Sequence, residues 1–208
     1  MMPHEVSGNS AADVVALADG LMQPGHPLMV LFSHEKEDTE DVFVRTFIES
    51  RLANEFVLTF HGERVTSLEE FYDECIRVMP AVASYFGRNL DALDEVLGDR
   101  GVALATDSSK GSYWLWNHSD VLFARDPIWF SHLFTVLVSD AQLRSGVRRV
   151  QLGRQPRTQP VFPIFTGKWE SFAEPLSKPD SFLHRLHYWY NPMHMPDEGT
   201  GVRFVKVI

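Results

Sequence analysis

Between residues 55 and 152 short apolar stretches alternate with helical patterns, and few folds accept that order. Residues 55–60 read as a strand, and His61-Gly62-Glu63 as the turn that follows it. Ser67 and Glu70 have the spacing of a capping box for a helix running to about Met79, with Leu68, Phe71, Cys75 and Ile76 as its apolar stripe. Pro80 breaks that helix, and residues 81–87 form a link. Asn89 caps a short helix over 90–97, which Gly98 stops. Residues 113–116 read as a strand and 119–124 as a turn or short element. Pro127 opens an apolar helix to about Arg144, and 147–152 read as a further strand after Ser145-Gly146. Strands separated by helices pair in parallel, because only a long crossover returns the chain to the same sheet edge. The predicted fold class is therefore α/β, a small parallel sheet packed with helices.

The flanking segments read as extensions. In residues 1–54, 11–20 have helical character up to the glycine at 20, 26–33 read as a buried strand, and 35–41 as a charged loop. Residues 41–54 fit an amphipathic helix with Val42, Phe43, Phe47, Ile48 and Leu52 inward, although their pattern also allows a strand. Residues 153–208 are broken by seven prolines yet rich in aromatic side chains, among them Phe162, Phe165, Trp169, Phe172, Tyr188, Trp189 and Tyr190. So much aromatic surface is expected to pack on the core or on a partner. Residues 202–208 read as a last strand. With 44% hydrophobic residues the chain has enough material for one sizeable core.

No apolar run approaches the roughly 20 residues that cross a bilayer, so no membrane partner is expected. Residues 1–10 lack the positive charge and apolar block of a secretory leader, which makes the cytoplasm the expected location. The single cysteine, Cys75, sits on the apolar stripe of its helix and reads as a small core residue; nothing near it in sequence would lower its pKa.

The net charge of −9 disfavours direct contact with nucleic acid and favours basic surfaces. Much of it is concentrated. From Ser67 to Arg100 there are eight acids (Glu69, Glu70, Asp73, Glu74, Asp91, Asp94, Glu95 and Asp99) against Arg77, Arg88 and Arg100, a net of −5. Taken by itself that density favours two solvated helix faces over a binding surface. The helix over 90–97 separates its residues by face: Leu90, Leu93 and Leu97 share one side, while Asp91, Asp94 and Glu95 share the other. Like charges four apart cost about 0.2–0.5 kcal/mol, a penalty that a basic partner would relieve.

The run Tyr85-Phe86-Gly87-Arg88-Asn89-Leu90-Asp91-Ala92-Leu93, with Glu95 close behind, resembles the barstar family of ribonuclease inhibitors. That family carries two aromatics, Gly, any residue, then Asn-Leu-Asp-Ala-Leu and a second acid. The resemblance extends over roughly residues 55–152. It implies a non-catalytic protein whose short acidic helix and preceding loop plug the active site of a basic nuclease, a toxin for which the chain acts as immunity protein. By the same resemblance Tyr85, Phe86, Gly87, Asn89, Asp91, Asp94 and Glu95 form the partner-binding set, Asp91 and Glu95 standing where RNA phosphates would lie. Two features depart from the family pattern: the second acid is commonly Asp, and the residue before it is often a large aromatic, where this chain has Asp94.

Two other classes compete. A scaffold of this kind also suits a regulatory binding module whose partner is not a nuclease. An enzyme would need a site, and the sequence offers only His184, His187 and His194 as metal ligands; these lack an accompanying Glu and lie among aromatics, so packing or partner contact explains them better. His61, in a turn, and His118, after Asn117, read as surface residues. No Gly-x-Ser-x-Gly and no phosphate-binding glycine loop occurs, and no cofactor is expected.

Overall fold

The computed structural model describes residues 4–6, 11–21, 29–34, 39–51, 56–96, 112–144, 161–183 and 202–207. In chain order the elements are β1 (His4–Val6), α1 (Ala11–Leu21), β2 (Met29–His34), α2 (Thr39–Arg51), β3 (Phe56–His61), α3 (Leu68–Val78), α4 (Leu90–Glu95), β4 (Ser112–Asn117), α5 (Asp120–Arg125), α6 (Pro127–Arg144), β5 (Val161–Lys168), α7 (Trp169–Ser177) and β6 (Val202–Val207). Single 3₁₀ turns follow β3 and α3. The strands make one sheet in the order β1-β6-β2-β5-β4-β3, and every neighbouring pair is parallel. The protein is thus α/β with a parallel sheet. β3 and β4 lie within residues 55–152, and the other four strands among the described residues come from either side of that stretch.

Burial follows position in the sheet. In β4 every side chain from Tyr113 to Asn117 is buried, and so is every one from Phe162 to Gly167 in β5. A strand with helices on both faces has no solvent side, so its sequence is a continuous apolar run. β3, at the edge, alternates instead: Leu58 and Phe60 are buried, Val57 and Thr59 half-buried. Trp116, Phe60 and Phe165 face α3 and α6, where Trp116 meets Phe71 at 4.9 Å and Phe130 at 5.7 Å between ring centroids. On the other face Tyr113 meets Phe47 of α2 at 5.2 Å and Phe162 at 5.4 Å. The Arg51 guanidinium lies over both the Phe47 and the Tyr113 rings.

Several sequence expectations change. Residues 39–51 are helical, which settles the ambiguity of that stretch, and the helix begins inside the expected charged loop. Its Val42 points to solvent (46% exposed) while Val44 is buried beside Phe43 and Phe47. The register of a helix face is set by what it packs on, and here α2 leans one position further round. α1 runs through Gly20 to Leu21. Residues 120–125 form a helix. The largest difference is β5, a strand between β2 and β4 that the sequence reading left unassigned. Pro163, in register with Trp114, hid it: proline has no N–H for a ladder and argues against an interior strand. His118 is not a surface residue either; it is half-buried, with Nδ1 3.2 Å from the carboxylate of buried Glu40. The expected strand at 147–152, and His184, His187 and His194, lie outside the described residues, as do Leu97 and Gly98.

Cys75 is buried, and burial pushes its thiol well above the ordinary range. No helix among the described residues is long and apolar enough to cross a membrane.

Candidate functional site

The acidic helix is built from local signals that the structure reproduces closely. Asn89 has extended backbone geometry, and its Oδ1 accepts a hydrogen bond from the Ala92 N–H at 2.8 Å, closing the first turn of α4. Its Nδ2 donates to the Gly87 carbonyl at 3.1 Å, tying the cap to the loop before it. Leu93 and Val96 are buried, so the 3.6-residue period leaves Asp91, Asp94 and Glu95 exposed on the outer side. Asn89→Ala is expected to cost about 1 kcal/mol, the usual worth of such a cap. Urea unfolding would measure it; an unchanged midpoint would mean that packing alone forms α4.

The loop at 85–88 is fastened from one side. Arg88 adopts φ 49°, the left-handed region, which turns its side chain back over α3. There Nη1 donates to Asp73 Oδ1 at 2.7 Å, and Nη2 donates to Glu69 Oε2 at 3.0 Å and to the Glu69 carbonyl at 3.2 Å. The two aromatics diverge. Tyr85 is 44% exposed, whereas Phe86 is 7% exposed and packs edge-on against Tyr72 at 5.5 Å. Phe86 therefore supports the loop from beneath, and Tyr85, Gly87, Asn89, Asp91, Asp94 and Glu95 form the exposed part of the proposed set.

The structure also sorts the eight acids that the sequence groups together. Glu69 and Asp73 are engaged by Arg88, and Glu74 by Arg77. The Glu70 carboxylate accepts from the Thr66 N–H and hydroxyl, each at 2.7 Å, so the capping box reaches back one residue beyond Ser67, whose Oγ accepts the Glu70 N–H. Asp99 lies outside the described residues. No ion pair among the described residues engages Asp91 or Glu95. Asp91 and Glu95 stand exposed on α4, while Arg77 and Arg88 are engaged by acids of α3.

Glu74 deserves separate notice because α3 is the floor under the loop. Its side chain is buried and accepts from the His61 N–H at 2.6 Å and from Arg77 Nε at 2.6 Å and Nη2 at 2.5 Å. Burial pushes its pKa up, but the bonds from Arg77 and His61, with the Arg77 charge, outweigh burial and hold it below the ordinary carboxylate value. A folded-state pKa below the unfolded one gives stability that is present above about pH 4.3 and is lost as pH falls through the folded value. Glu74→Gln is expected to cost about 1.5–3 kcal/mol at pH 7, the range for hydrogen bonds to a charged group. Its deficit against the parent should shrink as pH drops below 4. A deficit independent of pH would assign the loss to packing.

Comparison with known proteins gives one family and a broad fold likeness. The family model "Barstar (barnase inhibitor)" matches residues 55–152. No curated protein matches the chain. Among solved structures it is similar to Cdc6p from Pyrobaculum aerophilum, at 14% identity and TM-score 0.50 over 94% of this chain and 43% of that one. It is also similar to the ORC2 protein of Aeropyrum pernix in its ADPNP-ADP complexes, at 10% identity and TM-score 0.53 over 100% of this chain and 49% of that one. The chain spans less than half the length of either, and at such identity the likeness concerns the fold alone. The matched segment takes in β3, α3, the fastened loop, α4, β4, α5 and α6: over residues 55–152, just under half of its length, this chain is similar to the barstar family.

Proposed function

We propose that the chain is a protein inhibitor that occludes the active site of a basic nuclease, a ribonuclease toxin, and serves as its immunity protein. The observation that carries this reading is that Asp91 and Glu95 stand exposed one turn apart on a capped helix, while the neighbouring arginines are engaged with other acids. A nuclease gathers cations around a scissile phosphate, and two carboxylates held on a short helix offer those cations an equivalent charge without a bond to cleave. No step of chemistry is required of the inhibitor. The fastened loop and the cap lower the ordering cost on binding, and the net charge of −9 steers a cationic partner toward this face.

The test is an RNA-hydrolysis assay with a barnase-type ribonuclease and with the product of the open reading frame next to the one encoding this chain, each titrated with the full-length protein. Stoichiometric inhibition is expected, with association slowing as salt shortens the Debye length from about 10 Å at 0.1 M toward about 3 Å at 1 M. Complex formation that leaves hydrolysis untouched would instead favour a regulatory module.

A further inference from the structure

A second constellation lies away from α4, at the carboxyl ends of the central strands, where parallel α/β sheets commonly hold their ligands. Glu40, in the first turn of α2, is 2% exposed. It accepts the backbone N–H of His118 at 2.5 Å and the hydroxyl of Thr166 near the end of β5, and it faces His118 Nδ1 at 3.2 Å. His118 follows β4 with φ 46°, a left-handed turn that folds its ring back toward α2; its Nε2 lies 3.5 Å from exposed Asp41. Asp120 opens α5 and is 6% exposed. Its Oδ2 accepts from the Ser171 hydroxyl at 3.3 Å, and the Lys168 backbone N–H is close enough to favour its ionised form. Its Oδ1, however, is buried and has no hydrogen-bond partner. One ligand atom from each of Glu40, His118 and Asp120 lies within 4.8 Å of the others.

We propose that Glu40, His118 and Asp120 form a divalent transition-metal site, with Zn²⁺ the cation that its ligands fit best. The two buried carboxylates have at most one positive charge beside them, that of a protonated His118. A divalent ion bound by neutral His118 balances them, and it gives the orphaned Asp120 oxygen the partner that a buried polar atom requires. An imidazole with two carboxylates is a borderline nitrogen–oxygen set, suited to Zn²⁺ or Mn²⁺ and not to the all-oxygen shells of Ca²⁺. Ligands bound to Zn²⁺ at about 2.0–2.2 Å lie roughly 3–4 Å apart, so the present spacing needs only a small contraction. Three protein ligands leave a position for water, and the partly exposed edge of His118 offers the ion a way in. Gly167 is fitted to the same carboxylate: a Cβ there would lie 2.7 Å from Asp120 Oδ1. The site is independent of the inhibitor reading, since none of its residues belongs to the α4 surface.

The experiment strips the full-length protein with a chelator and titrates it with ZnCl₂ and, separately, MnCl₂, reading stoichiometry by elemental analysis and affinity by calorimetry. One Zn²⁺ per chain is expected. Glu40→Gln and Asp120→Asn should each weaken it at least roughly tenfold, the scale of losing even a supporting partner of a metal ligand. The double variant His184→Gln/His187→Gln should bind as the parent does. On the parent itself, Zn²⁺ should shield His118 from carbethoxylation while exposed His132 reacts unchanged; this readout decides the matter if a variant fails to fold. A parent that takes up neither metal, cluster variants that bind normally, binding removed only with His184 and His187, or an unshielded His118 would each overturn the proposal.

Discussion

Asp91→Ala combined with Glu95→Ala is expected to abolish nuclease inhibition while leaving the stability of the protein within about 1 kcal/mol of the parent's. Removing one partner of a desolvated charge pair at an interface costs about 2–5 kcal/mol, a range to which the barnase–barstar pair itself contributes. At about 1.4 kcal/mol per tenfold, each single variant should raise Kd by roughly 30- to several-thousand-fold. The two losses will not simply add, because both acids address one cationic cleft. Stability should barely move. Both side chains are exposed on a helix whose buried face is Leu93 and Val96; removing them relieves a like-charge pair worth about 0.2–0.5 kcal/mol and loses the favourable place of Asp91 in the first turn, worth about 0.3–1 kcal/mol. Inhibition constants and urea midpoints measured on the same samples separate the two effects. Variants that inhibit as well as the parent would remove α4 from the interface; variants that unfold would make its acids structural.

Trp116→Ala should give the largest loss of stability, about 3–5 kcal/mol, because it empties the centre of one face of the sheet. The indole is 1% exposed and touches Phe71, Phe130 and Phe165 at centroid distances of 4.9, 5.7 and 5.4 Å, joining α3, α6 and β5 to β4. Trp116→Phe should cost much less than the volume change suggests. The indole Nε1 is buried without a hydrogen-bond partner, and its deletion recovers part of a desolvation penalty of about 1–3 kcal/mol. Guanidinium unfolding of the three proteins tests the ordering. Equal losses for Phe and Ala would mean that the shape of the indole, and not the burial of an aromatic ring, holds the three elements together.

The parts of the molecule that were legible in advance are those written in short stretches of chain. The Asn89 cap, the Ser67 cap, the helix opened by Pro127 and the division of α4 into buried leucine and exposed acid each involve residues within four positions of one another. Strand β4 was legible for a related reason: a run buried on both faces is apolar throughout. β5 was not, because Pro163 is a local signal against a strand, and the parallel pairing with β2 and β4 that overrides it involves residues 134 and 49 positions away. Phe86 shows the same limit on a smaller scale. Adjacent aromatics carry no local mark of which is buried, and Tyr72 decides it.

From the sequence alone came the parallel α/β class, the capped acidic helix and its faces, since backbone geometry, helical period and capping act over a few residues. The tertiary structure decided the strand order, which of the acids are answered by Arg77 and Arg88, and the meeting of Glu40 with His118, Asp120 and Thr166. Such charge and ligand relations fall off within a few ångströms of space, and residues 40, 118 and 166 come that close only when the sheet assembles.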